Sequence, residues 1–240
     1  MIDRDQFESA GFAVVEGLFT KGECAELITY MNDLHAGRRC LDGFKPREPE
    51  DWDRSFNQHW YDPITLGWLI DPRLREPLRI CMDDEPEGIQ TMYFWQGSEQ
   101  RRHQDQYYLP ACMSAWIPLE DVDESNGTIL VQPGSHRRRL ILQADREEGG
   151  DFEGRDYNDA VDDLFESNDL PEIPVDVSAG DVVFFHGVLV HRGGPIGDVN
   201  STRHVLANHY IPYRFDGWNH SWERFAFNGG RRFHPPVANL

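Results

Sequence analysis

The run Gly180-Asp181-Val182-Val183-Phe184-Phe185-His186-Gly187-Val188-Leu189-Val190-His191 decides the fold. A Gly-Asp turn opens it, and four β-branched or aromatic residues follow without a polar break. A short apolar run bounded by turn residues reads as a strand buried on both faces. Working outward, similar runs occur at Ile89 to Trp95, Met113 to Leu119, Thr128 to Val131 and Arg203 to Tyr210. Turn residues punctuate them at Gly97, Asn126-Gly127, Pro133-Gly134 and Gly193-Gly194. Repeated short strands of this kind predict a mainly antiparallel barrel.

Upstream the pattern changes period. Asp3 to about Gly37 reads as a short helix, a strand through Phe12-Ala13-Val14-Val15, and an amphipathic helix with Cys24, Leu27, Ile28 and Met31 at helical spacing. A further helix is expected after Pro72. With no internal repeat and no linker composition, residues 1–240 read as one domain. It has a largely helical lead-in (1–88), a β core (89–213) and a carboxyl-terminal segment (214–240). Between Asp145 and Asp169 lie 11 acidic residues against Arg146 and Arg155, read as a solvated loop or short helices, with a lid over the site as the functional alternative.

Composition narrows the function class. The chain is 39% hydrophobic and 27% charged, ordinary for a folded globular protein. A net charge of -19 argues against nucleic-acid or anionic-membrane partners, which require clustered cations. Only Lys21 and Lys45 are lysines, so a pocket that binds an anion is expected to use arginine. No run of 18 apolar residues occurs, and Cys24, Cys40, Cys81 and Cys112 form no C-x-x-C pair; a reducing cytoplasm is the expected location.

The candidate chemistry lies in His103-Gln104-Asp105, His191 and Arg203. Two imidazoles and a carboxylate are the donor set that holds non-haem Fe(II) on one face and leaves the other open. Arginine supplies a planar fork suited to a carboxylate. On a strand, residues 103 and 105 would share a face. The competing reading makes His103 a surface histidine with Asp105 as a salt-bridge partner. His186 and His136 are further histidines that could take part.

The ordered series H-Q-D, Asn126-Gly127, Pro133-Gly134-Ser135-His136, G-D-x-x-F-F-H-G-x-x-x-H and a distal arginine resembles the phytanoyl-CoA dioxygenase family of Fe(II)/2-oxoglutarate oxygenases. The resemblance runs from about Thr91 to Tyr213. It implies a double-stranded β-helix, a cupin-like jelly roll with flanking helices. It implies Fe(II) held by His103, Asp105 and His191, and Arg203 paired with 2-oxoglutarate. Thr91-Met92 and Ala115-Trp116 match positions lining the co-substrate pocket, which puts Met92 and Trp116 there. His191 rather than His186 is the distal ligand by the family pattern, and His186 and His136 become structural.

The expected reaction is hydroxylation, desaturation or demethylation of a small organic substrate with O2, releasing succinate and CO2. Asp105 argues against halogenation, because related halogenases carry a small residue there. Gly193 departs from the family, which commonly has serine at that place. A cupin-like metal-binding or sensor protein is the alternative. Phe56, Trp60, Tyr93, Tyr107 and His209 are candidates for the substrate pocket, and residues 51–62, 145–169 and 215–233 for its outer wall. Neither the substrate's identity nor the oligomeric state is legible.

Overall fold

The computed structural model describes residues 1–46, 54–198 and 200–233. Trp52, the start of the 51–62 segment and the last seven residues of the carboxyl-terminal segment lie outside them.

Helix starts follow side-chain caps. In α1 (Arg4–Ala10) the Asp3 carboxylate accepts from the Gln6 N–H, and in α2 (Lys21–His35) Thr20 and Glu23 form a reciprocal capping box. Between them β1 (Phe12–Val15) forms, and β2 (Arg54–Phe56) follows α2. α3 (Pro63–Leu69) and α4 (Pro72–Met82) each place proline in the first turn behind an aspartate cap, where its missing N–H costs nothing. The β core follows: β3 (Pro86–Phe94), β4 (Met113–Pro118) and β5 (Ile129–Val131). After α5 (Tyr157–Asn168) come β6 (Ile173–Pro174), β7 (Val182–His186), β8 (His191–Gly193) and β9 (Val205–Pro212), then β10 (Glu223–Ala226) and β11 (Arg231–Phe233).

Two antiparallel sheets face each other as a cupin-like jelly roll. The larger has the order β1-β7-β4-β9-β3-β10-β11, with β2 also on β3; the smaller is β6-β5-β8. The lead-in is therefore not purely helical, since β1 and β2 extend the larger sheet.

Both faces of that sheet are covered, which explains the unbroken apolar run 182–185. Phe184, Ala115, Ile117 and Leu206 point out into a core shared with α1, α2, α3 and α4. Val183, Phe185, Trp116 and Ala207 point in, toward the smaller sheet. Fully burying a side chain such as Phe184 contributes about 1.5–3 kcal/mol. At the head of β7, Gly180 has φ +91°, and a Cβ there would lie 2.1 Å from the Phe19 carbonyl oxygen. Asp181 then accepts from the Gly17 and Ser178 N–H groups, joining this turn to the lead-in.

The acidic stretch 145–169 runs through turns into the helix α5, the short-helix reading, and none of its residues lines the cavities at the site. α5 buries Tyr157, Ala160, Val161 and Leu164 against Ile141 and Val190, so an amphipathic face was hidden within the acidic composition.

Two outcomes follow from the buried charges and histidines. Glu87 (1% exposed) contacts fully buried Arg224 at 2.6 Å and also pairs with Arg232, tying β3 to β10 and β11. Glu87→Ala leaves the Arg224 charge uncompensated and is expected to cost about 3–5 kcal/mol in chemical denaturation. Burial also pushes His59 down to about 3 and His204 and His186 to about 4. The unfolded chain takes up these protons near pH 6.5 while the native state resists them, so unfolding is favoured as acid is added. The metal-free protein should therefore melt at a nearly constant temperature above pH 7 and at steadily lower temperature from pH 6.5 to 4. A flat calorimetric profile over that window would contradict this.

Candidate metal centre

His103 does not lie in a regular strand. It forms an isolated antiparallel bridge with His191, donating its N–H to the His191 carbonyl at 2.9 Å and accepting in return at 3.2 Å. β8 pairs on its other side with β5, Val131 opposite His191. Residue 103 thus extends the smaller sheet by one position and sets the two imidazoles side by side, ring centroids 4.1 Å apart.

The chain then turns into a 3-10 helix, Asp105–Tyr107. The expected extended H-x-D geometry is replaced by a bridge followed by a turn. Gln104, fully buried between the two ligands, makes the turn possible. Its Nε2 donates to the Arg139 and Val188 carbonyls, its Oε1 accepts from the Ile141 N–H, and its backbone N–H donates to the Tyr157 hydroxyl. α5, which supplies Tyr157, braces the ligand loop from behind.

The donor atoms of His103, Asp105 and His191 lie within 4.8 Å of one another, and all three residues are buried. Asp105 Oδ1 is 3.5 Å from His103 Nε2 and 3.7 Å from His191 Nε2. Both separations are less than twice the metal–ligand distance of about 2.1 Å, so one ion can bridge them. The Nδ1 atoms of His103 and His191 each sit 2.9 Å from a carbonyl oxygen two residues upstream, Arg101 and Leu189. Donation through Nδ1 leaves an Nε2 lone pair on each ring directed at the shared point. Burial, reinforced by the neighbouring His191, pulls His103 down to about 3, so it stays neutral and able to ligate.

Burial alone would disfavour the Asp105 carboxylate, but the His191, His209 and His103 rings outweigh it and hold its pKa below the ordinary range. The second oxygen, Oδ2, accepts from Ser114 Oγ at 2.6 Å and lies 3.4 Å from His209 Nε2. Those partners arise from register. Gln90, His209 and Ser114 are aligned across β3, β9 and β4, forming one inward row.

Two cavities meet at this centre. The inner one, about 50 Å³, is lined by Phe94, Trp116, Gly193 and Arg203; an outer one of about 470 Å³ opens past Phe56, Tyr108, Leu109, His220 and Trp222. Met92, Gln100 and His209 line both. Arg203 is 2% exposed. Its guanidinium lies 5.6 and 5.9 Å from the Phe94 and Trp116 ring centroids, and its Nη1 donates to the Gly127 carbonyl. Its Nε has no hydrogen-bond partner among the described residues. Burial pulls its pKa down to about 10, opposed by Glu120, so it remains a cation at neutral pH. A buried charged donor lacking a partner is costly unless an anion completes it.

Of the expected pocket residues, Met92, Trp116, Arg203, His209 and Phe56 line these cavities. Tyr93 does not: alternation turns it to the helical side of the sheet, where its hydroxyl meets His204 Nδ1 at 2.6 Å. Thr91 and Ala115 are likewise turned away, Thr91 to His59 and Ala115 into the outer core. Tyr107 stacks on Tyr157 and bonds Gln143, and its neighbour Tyr108 faces the cavity instead. Trp60 touches the wall only through Trp222, at 6.0 Å between centroids. His186 accepts from the Val188 N–H and lies beside His136, away from the ligand trio. Sequence reasoning missed Ser114, Gln100, Gln90 and Arg54. Ser114 and Gln90 could have been found from strand register with His209; Gln100 and Arg54 left no local signal.

Gly193 has a packing reason. A Cβ there would lie 2.9 Å from the Gln100 nitrogen and 3.1 Å from that of Glu99, so the 99–100 backbone occupies the space a serine would need.

The metal-binding reading predicts that Asp105→Ala lowers Mn(II) or Co(II) affinity by more than about 100-fold, and Ser114→Ala by about tenfold, in anaerobic titration calorimetry. Unchanged affinity in Asp105→Ala would remove the centre.

Comparison with known proteins agrees with this geometry. The family model for phytanoyl-CoA dioxygenase (PhyH) matches residues 7–197. Phytanoyl-CoA dioxygenase 1 of Oryza sativa subsp. japonica is 31% identical over 174 residues, covering 67% of this chain and 57% of that protein. Phytanoyl-CoA dioxygenase domain-containing protein 1 of Danio rerio is 28% identical over 175 residues with the same shares. The chain thus spans little more than half the length of these two relatives. Among solved structures, HygX from Streptomyces hygroscopicus with nickel and 2-oxoglutarate bound superposes with a TM-score of 0.64 at 20% identity, covering 90% of this chain and 89% of that one. EctD from S. alaskensis with 2-oxoglutarate and 5-hydroxyectoine gives 0.66 at 21% identity, covering 87% and 74%. Among the described residues no helix is long and apolar enough to cross a membrane. With the family model spanning most of its length, the chain belongs to the phytanoyl-CoA dioxygenase family.

Proposed function

We propose that this protein is an Fe(II)- and 2-oxoglutarate-dependent dioxygenase that hydroxylates, desaturates or demethylates a small organic substrate with O2, releasing succinate and CO2. One observation carries the reading: two imidazoles and a carboxylate converge where a small inner cavity, closed by an arginine whose Nε has no partner among the described residues, meets a larger outer one. His103, Asp105 and His191 would hold the ion and Arg203 the far carboxylate of the keto acid. The relatives' names and the bound groups in the HygX and EctD structures support the same assignment.

When bound, the ion and keto acid supply the oxidising chemistry. The chain's own part is positional. Carbonyl acceptors at Arg101 and Leu189 fix both histidine tautomers, while Ser114 and His209 occupy one Asp105 oxygen and leave the other for the ion. Phe94, Trp116 and Ile129 wall the inner cavity from water, which strengthens the pull of Arg203 on a carboxylate. Residues 1–240 are taken as one working domain, because the larger sheet draws strands from both β1 and β11. Four free thiols favour a reducing compartment such as the cytoplasm.

Anaerobic addition of Fe(II) and 2-oxoglutarate should produce a visible charge-transfer band, which Arg203→Ala weakens by at least about tenfold in 2-oxoglutarate concentration. Air and 2-oxoglutarate should then yield succinate. The alternative, a cupin-like metal-binding or sensor protein, draws on Gly193; a band without succinate under any condition would favour it, and no band at all would sink the oxygenase.

A further inference from the structure

Among the described residues the outer cavity has one permanent cation in its lining, Arg54. β2 pairs with β3 so that Arg54 stands opposite Phe94 and Phe56 opposite Met92. Side chains 54 and 56 therefore project on the same face as the cavity residues of β3. The guanidinium lies 4.8 Å from the Phe56 ring centroid and 5.7 Å from that of Phe94. Its Nη1 donates to Gln100 Oε1 at 3.0 Å, and Gln100 Nε2 stands 3.1 Å from His103 Nε2. Gln100 and the Phe56 and Phe94 rings thus hold Arg54 beside the metal centre, and Gln100 would give up the His103 contact when an ion takes that nitrogen.

Among the described residues no carboxylate pairs with it. Other arginines near the site, Arg101, Arg102 and Arg192, are matched by carboxylates, and Arg54 is the unmatched one that lines the outer cavity. The charges of the loaded centre point the same way. A divalent ion, less the Asp105 carboxylate, leaves one positive charge and Arg203 adds another. The two carboxylates of 2-oxoglutarate cancel both, and Arg54 remains.

We infer that Arg54 anchors a carboxylate of the primary substrate, and that this substrate is a small monocarboxylate with a flat aromatic or unsaturated skeleton lying against Phe56, Tyr108 and Trp222. The inference rests on the oxygenase reading above. A cavity of about 470 Å³ suits a ligand of that size. One planar fork matches one carboxylate through two parallel hydrogen bonds. A polyphosphate ester would need several cations, and this lining offers one.

The test uses the full chain loaded with Zn(II) and 2-oxoglutarate, titrated calorimetrically with phenylacetate, phenylacetamide and phenethylamine, which share size and differ in charge. Phenylacetate should bind at least about tenfold more tightly than the other two. Arg54→Gln and Arg54→Met should both lose that preference while binding 2-oxoglutarate as the parent does. Retention of the preference in both variants, equal binding of the amide or amine to the parent, or loss of 2-oxoglutarate binding in the Arg54 variants would overturn the assignment. If the parent fails to bind 2-oxoglutarate, the oxygenase reading falls. The same titrations on metal-free protein then still decide whether Arg54 selects the carboxylate.

Discussion

A pair of backbone hydrogen bonds between residues 103 and 191 holds this site together. Those two positions are 88 apart in sequence; each ring is oriented by a carbonyl two residues upstream, but only the bridge brings the two together. The bridge attaches a lone residue to the free edge of β8, whose other side pairs with β5. Because side chains of directly opposed antiparallel residues lie on one face, the bridge alone sets the two rings together. Everything else at the centre builds on that pairing: the turn that delivers Asp105, the buried Gln104 that fills the space between, and the helix whose Tyr157 closes over its back.

Placing a carboxylate in so buried a position is unfavourable unless its oxygens are occupied. Ser114 and His209 occupy one, and both come from the inner face of the larger sheet, while the histidine ligands come from the edge of the smaller. The centre is consequently a seam between the sheets. A change in their separation would be felt first at Asp105. Arg203 stands in the same relation to the inner cavity: it enters from just before β9, passes between Phe94 and Trp116, and is steadied by the Gly127 carbonyl near the start of β5.

The helical wrapping and the acidic segment have structural roles that composition concealed. α1 to α4 cover the outer face of the larger sheet, which is why its strands are apolar on both sides and read as continuous runs. α5 carries 4 acidic residues among its 12 and is flanked by Asp156 and Asp169, yet its Tyr157, Ala160, Val161 and Leu164 lie on one face. Arg101 and Arg102 pair with Asp159 and Asp162 on the other side of that contact. Exposed pairs of this kind are worth little individually; the buried tyrosine and the apolar face anchor the helix.

Much was legible in the chain itself. The strands 89–95, 113–119 and 182–185 follow from short apolar runs between turn residues, and the helices from capped amphipathic spacing. His103, Asp105, His191 and Arg203 could be proposed because the ordered motifs around them resemble a family pattern, and the fold brings the first three within 4.8 Å of one another. Tyr93, Tyr107 and Thr91 went astray for a single reason. A sequence does not say which of two alternating neighbours faces inward, since register and turn geometry fix that only when strands pair. Gln100 and Arg54 were invisible for the related reason that their place at the site comes from partners that only the fold brings near. Residue chemistry by itself determined which groups could bind a metal and a dicarboxylate. Only the tertiary structure decided their facing and set one arginine, unmatched among the described residues, at the outer cavity, because these depend on burial and on distances that pairing across sheets creates.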